Sequence, residues 1–130
     1  MILLDTHVAV WLLAVPDLLS WKARDAILQA RRLGEAIGYS PVSLYEMAWA
    51  ARRKRLPLNI PAKEFIAEVQ RNLELVPLTA EIAVLASEIS TPFHGDPMDR
   101  IIVATAIAND CTLITHDDRI HKANVCKVLW

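Results

Sequence analysis

The chain is predicted to fold as an α/β protein, with a central parallel sheet of about four to five strands flanked by helices. Three observations carry that reading. Short apolar runs alternate with longer stretches of helical periodicity along the 130 residues, the pattern left by right-handed strand–helix–strand crossovers. The hydrophobic fraction is 54% and the mean hydropathy is +0.28, both high for a soluble chain and suited to a sheet buried on both faces. Acidic residues also recur where an apolar run hands over to a helix, on the side of such a sheet where ligands bind.

Taken in order, residues 1–4 (MILL) form the first strand and end at Asp5-Thr6-His7. Val8 to Leu13 continue as a short helix that stops near Pro16. Ser20 is placed to cap a helix from about Trp21 to Leu33, because Ala23, Ala26, Ile27, Ala30 and Leu33 share one face. Gly34 closes that helix. Residues 35–40 form the second strand, and Ser43-Leu44-Tyr45-Glu46 has the form of a capping box for a helix to about Arg53. The basic run Arg52-Arg53-Lys54-Arg55 and a proline-containing loop follow. A helix from about Pro61 to Asn72 leads into a third strand at 73–77, and Thr79 caps a helix to about Ile89. After a loop at 90–95, Asp96-Pro97-Met98-Asp99 opens a helix reaching Asn109, with proline in its favoured first position. Residues 112–115 form the fourth strand and 125–129 a fifth.

At this length one domain covering residues 1–130 is expected, with a core that needs no staples. No apolar run is long enough to span a membrane, and the start has neither a basic region nor a cleavage site of the secretory kind. Cys111 and Cys126 lack CxxC spacing and read as reduced core thiols of a cytoplasmic protein. A net charge of −1 does not advertise nucleic-acid binding, so local clustering must carry that property. Core packing is the default reading of Trp11, Trp21, Trp49 and Trp130, with one or two at a protein interface.

The chemistry is expected from Asp5, Glu46, Asp99 and Asp117. Asp5, Glu46 and Asp117 follow the first, second and fourth strands, and Asp99 opens a helix antiparallel to the sheet, so all four belong to one rim. Crowded carboxylates repel one another unless a cation lies among them. An all-oxygen pocket suits Mg²⁺ or Mn²⁺, and that combination suits hydrolysis of a phosphodiester.

A plainer reading stands beside this one. Acids at helix starts are favoured by the helix dipole without any function, and Glu46, Asp99, Asp117 and Asp118 all occupy capping positions by sequence. Asp5 resists that reading best, since it ends a strand. His7, His94, His116 and His121 lack the spacing of a zinc site. His116 is either a substrate contact or a solvated rim residue. Arg52, Arg53 and Arg55 are either a solvated helix end or contacts to RNA phosphates. Arg100 is placed to pair with the acids or orient a phosphate. A haloacid-dehalogenase-type phosphatase would need a second Asp where His7 stands. A receiver-type module would need adjacent acids after the first strand and a Lys after the last, neither of which is clear here.

MILLDTHVAVWLL, SPVSLYEMAWAARRKRLPL and GDPMDRIIVATAIANDCTLITHDDRI together resemble PIN-domain nucleases, and more closely the VapC toxins of type II toxin–antitoxin modules. The likeness runs over essentially the full length. It implies a three-layer α/β/α fold and a Mg²⁺- or Mn²⁺-dependent endoribonuclease acting on structured RNA such as tRNA or rRNA. It also implies a homodimer and a cognate antitoxin that lays an amphipathic segment into an apolar groove. The family's acidic quartet falls on Asp5, Glu46, Asp99 and Asp117, with Asp5, Asp99 and Asp117 as metal ligands, Glu46 acting through water and Asp96 as an extra acid. Thr115 matches a hydroxyl beside the metal site, and Thr6 joins Thr115, His116 and Arg100 as candidate substrate contacts. Direct hydrolysis leaving 5′-phosphate and 3′-OH ends is the expected mechanism. The alternative is a non-catalytic PIN-like module that only binds RNA or protein.

Overall fold

The computed structural model describes residues 1–90 and 96–130. The greater part of the loop expected at 90–95, including His94, lies outside the described residues. Five parallel strands form one sheet: β1 (Ile2–Leu4), β2 (Ile37–Tyr39), β3 (Glu74–Leu75), β4 (Thr112–Ile114) and β5 (Val128–Leu129), in the order β3-β2-β1-β4-β5. Leu4 pairs with Tyr39 on one side and with Ile114 on the other. The strands are shorter than the apolar runs that announced them, because the flanking residues belong to turns and caps. The order reverses at β1, so the crevice between β1 and β4 is the switch point where such sheets bind ligands.

The helices are α1 (Thr6–Ala14), α2 (Trp21–Leu33), α3 (Pro41–Arg52), α4 (Ala62–Asn72), α5 (Ala80–Glu88), α6 (Pro97–Ala108) and α7 (Asp118–Ala123), with a single 3₁₀ turn at Pro16–Leu18. They cover both faces of the sheet. Side chains alternate along a strand, so Leu4 and Ile114 join Val8, Ile27, Met47 and Phe65 in one core layer. Leu3 and Leu113 join Ile82, Ile102, Val103 and Ile120 in the other. The expected three-layer α/β/α arrangement follows. Gly38 keeps β2 close to its neighbours, since a Cβ there would lie 2.7 Å from the Val76 side chain.

Several local expectations hold. Ser20 accepts from the Ala23 N–H at 3.1 Å, and Gly34 ends α2 at φ +68°. Thr79 and Asp96 cap α5 and α6. The capping box does not hold. Helix α3 starts one turn earlier, with Ser40 as its N-cap and Pro41 first, because proline's fixed φ and missing N–H suit that position. Ser43 and Glu46 therefore lie inside the helix, and their side chains are free to turn toward α1. Asp5, taken as the acid least suited to capping, is the N-cap of α1 and accepts from the Thr6 N–H at 2.7 Å.

None of the four tryptophans is a buried core residue: Trp21 and Trp49 are exposed, and Trp11 and Trp130 are half-buried. Cys111 is buried and Cys126 half-buried, and both are free thiols. None of the described helices is long and apolar enough to cross a membrane.

Candidate active site

A cavity of about 450 Å³ opens at the C-terminal edge of the sheet, walled by Asp5, Glu46, Asp96, Asp99, Asp117 and Asp118 together with His7, Trp11, His116 and Arg119. Asp5 reaches it from the end of β1 and is 6% exposed. Its second oxygen accepts from Thr115 Oγ1 at 2.7 Å, across the switch point from the end of β4. Thr115 Oγ1 accepts in turn from the Asp117 N–H at 3.1 Å. One hydroxyl thus ties the first acid to the turn that carries the last.

Glu46 comes from the second turn of α3. Thr6 Oγ1 lies 2.5 Å from Glu46 Oε1 and 2.9 Å from Ser43 Oγ. A hydroxyl has a single proton and a carboxylate can only accept, so Thr6 donates to Glu46 while Ser43 donates to Thr6.

The opposite wall is ionic. Arg119 Nη2 lies 2.5 Å from Asp117 Oδ2 and 3.3 Å from Asp99 Oδ2, and Arg119 Nε also reaches Asp117. Asp117 caps α7 as well, accepting from the Arg119 N–H at 2.8 Å. His116 packs edge-on to Trp11 and Trp130, with centroids 5.6 and 5.1 Å away.

Comparison with known proteins bears on this arrangement directly. The family model described as PIN domain matches residues 2–125. The chain is 38% identical over 119 residues to Ribonuclease VapC22 of Mycobacterium tuberculosis, covering 92% of this chain and 88% of that protein. This chain is a PIN-domain protein of the VapC type. Solved structures share its fold. VapBC2 from Rickettsia felis bound to a promoter DNA fragment matches with a TM-score of 0.71 at 15% identity, over 99% of this chain and 98% of that one. A toxin–antitoxin complex from Klebsiella pneumoniae matches at 0.67 and 17% identity, over 100% and 97%.

The electrostatics of this PIN domain follow from burial and crowding. Burial pushes the Asp5 carboxyl up, against the pull of its bonds from Thr115 and the Thr6 amide. Burial raises Glu46 too, with the Thr6 hydrogen bond opposing. Asp99 is raised to about 7, first by burial and then by the charges of Asp96 and Asp5. Asp117 is lowered, chiefly by its hydrogen bond from Arg119. Such a donor set fits a hard divalent cation: oxygen ligands only, mutually repelling, and already drawing the chain's own guanidinium between two of them. As placed, no three of the described Asp, Glu, His or Cys side chains converge on a single ion position.

Not every candidate belongs here. Asp96 lines the cavity as expected. Thr6 and Thr115 are buried and spend their hydroxyls on Glu46 and Asp5, so they position carboxylates instead of touching substrate. Arg100 donates to the carbonyls of Ala86, Ser87 and Ile89, clamping the end of α5. Among the described residues it pairs with no acid, because three backbone acceptors at the end of α5 satisfy its fork. Arg52, Arg53 and Arg55 are exposed at the end of α3 and do not line the cavity. The sequence reading passed over Arg119, Trp11 and His7 as parts of the site. Arg119 lies two residues past Asp117 at the start of a helix, and that spacing is the signal that could have marked it.

Proposed function

We propose that this chain is a metal-dependent endoribonuclease and the toxin of a type II toxin–antitoxin module, with the chemistry at Asp5, Glu46, Asp99 and Asp117. The observation that carries the reading is the cavity at the switch point, where Asp5, held by Thr115, faces Asp99, Asp96, Glu46 and Asp117. The relationship to Ribonuclease VapC22 over nearly the whole length of both chains supports a nuclease. The shared fold of solved toxin–antitoxin complexes accords with a cognate antitoxin as partner.

Asp5 and Asp99 would hold Mg²⁺ or Mn²⁺ directly, with Asp117 as a third ligand and with Glu46 and Asp96 contributing through water. When bound, the ion supplies an activated water for in-line attack on phosphorus and offsets charge in the transition state. The chain's own groups do the rest. Thr115 and the Thr6 amide keep Asp5 oriented, and Thr6 keeps Glu46 turned into the cavity. His116 stands on the wall where a flanking nucleotide would pass. Residues 1–130 act as one domain, as a homodimer in the cytoplasm where structured RNA such as tRNA or rRNA is found.

The test is cleavage of total cellular RNA by the isolated chain with Mg²⁺, with Mn²⁺ and with EDTA, beside Asp99→Asn. Discrete cuts that need both the metal and Asp99 and leave 5′-phosphate ends support the reading. Ends carrying 2′,3′-cyclic phosphate would overturn the mechanism, and RNA binding without cleavage under any condition would make this a non-catalytic module.

A further inference from the structure

Helix α3 carries Glu46 toward the cavity, and a different face of the same helix carries an uncovered ladder. Tyr45 and Trp49 are 56% and 45% exposed, with their rings stacked at 6.1 Å and 28°. The Arg53 guanidinium lies over the Trp49 ring, 3.9 Å from its centroid. Spacing of four residues aligns the three groups along one stripe. The stripe ends in Arg52, Arg53, Lys54 and Arg55, all exposed. Among the described residues none of these cations is in an ion pair.

The helix dipole accounts for cations at a helix end. It does not account for two large rings held in water beside them. Trp49 lies between Tyr45 and Arg53, so bases of a single strand extend the ladder at its ends, on the exposed Tyr45 ring and the Arg53 guanidinium plane, while the phosphates meet the charges. A second copy of the chain fits less well: a two-fold contact through this stripe would bury four cations from each side, and positions 45, 49 and 52–55 carry no acid to pair with them. The chain's net charge of −1 leaves the stripe as a local positive patch on a molecule that otherwise repels polyanions.

We propose that Tyr45, Trp49 and Arg53 form a stacking platform for single-stranded RNA flanking the cleavage point, with Arg52, Lys54 and Arg55 on its phosphates. This rests on the ribonuclease reading above. Glu46 and Arg53 are about 10 Å apart along the helix axis at 1.5 Å per residue, so the platform serves nucleotides adjacent to the one at the acids.

The experiment measures binding of a fluorescein-labelled, mixed-sequence 12-nucleotide single-stranded RNA to the full chain in EDTA, by anisotropy at several salt concentrations. Trp49→Ala is expected to weaken binding on the order of tenfold, with Trp49→Phe restoring most of it because a ring remains. Arg55→Ala, which removes a phosphate contact and leaves the ladder whole, is expected to reduce the salt slope by about 0.7. Trp21→Ala removes a still more exposed ring on α2, 75% against 45% for Trp49, and serves as control, with affinity unchanged. Equal affinity for wild type and Trp49→Ala overturns the platform. So does a Trp49→Ala change in oligomeric mass by light scattering with RNA affinity intact, which would make the stripe a contact between copies. Cleavage with Mg²⁺ is scored separately. Wild type that binds RNA through the ladder but never cuts it overturns the nuclease reading alone, and Trp49→Ala that cuts with unchanged KM overturns the platform alone.

Discussion

Asp5 and Glu46 are held by hydroxyls and a backbone amide, whereas Asp99 and Asp117 are held by a guanidinium. The groups on the Asp5 side are buried and fixed by β4, α1 and α3. They orient a carboxylate without neutralising it. On the other side the charge of Arg119 does the holding, from a side chain 60% exposed, where an ion pair is screened and worth about 0–1 kcal/mol. One wall is thus built in place, and the other is held by a partner that a stronger cation can replace. Under the proposed metal-dependent reading the two walls would serve different ends, the fixed one providing geometry and the exchangeable cation keeping the repelling acids together in the metal-free chain.

The strongest way to break this comparison is to neutralise one acid on each wall. Asp5→Asn and Asp99→Asn should each lower RNA cleavage by about a thousandfold or more, since metal-assisted charge stabilisation is worth several kcal/mol. Full activity in either variant, with a folded protein by circular dichroism, would remove that residue from the site.

Titration distinguishes the two acids of the ionic wall next. With a pKa of about 7 in the folded chain against 3.8 for the free side chain, Asp99 binds a proton more tightly folded than unfolded. Its contribution to stability is therefore fully present below about pH 4 and is lost as pH rises through 7. In EDTA, thermal stability should fall over that window, and Asp99→Asn should flatten the fall. Metal must displace that proton, so Mg²⁺ affinity by calorimetry should rise with pH up to about 7 and then level. Asp117, lowered by Arg119, is already ionised across this range and adds nothing to the slope. An affinity independent of pH would show Asp99 ionised throughout.

Thr115→Val probes the fixed wall. The change keeps the shape but leaves buried Asp5 short of a donor, at a cost of about 1–3 kcal/mol, read as a lower denaturation midpoint. The Asp5 carboxyl should rise further and Mg²⁺ bind more weakly. An unchanged midpoint would mean that the 2.7 Å bond contributes nothing net. The smallest effect is expected at Arg119→Ala, which should change stability by no more than about 1 kcal/mol while tightening Mg²⁺, because its competitor is gone. Weaker Mg²⁺ binding would show that Arg119 supports the site instead of vacating it.

Much of this was legible in the chain. Strand–helix alternation announced the parallel sheet, and Ser20, Gly34, Thr79 and Asp96 marked helix ends because each satisfies its own backbone locally. All four quartet acids and Asp96 line one cavity. Capping a helix and lining the cavity proved compatible: Asp5, Asp96 and Asp117 do both. Other assignments failed where a side chain's partner is distant in sequence. Ser43 looked like a cap until Thr6, 37 residues away, engaged its hydroxyl. Arg100 looked like a phosphate ligand until the end of α5 packed beside it.

The sequence by itself determined the class of fold, the rim that carries the acids and the family, because periodicity, caps and local motifs act within a few residues. Only the tertiary structure decided which groups hold those acids. The bond from Thr115 to Asp5 joins residues 110 positions apart, and the bridge from Arg119 to Asp99 spans 20. Such contacts depend on strand order and helix packing, which bring together side chains whose separation along the chain carries no signal of their meeting.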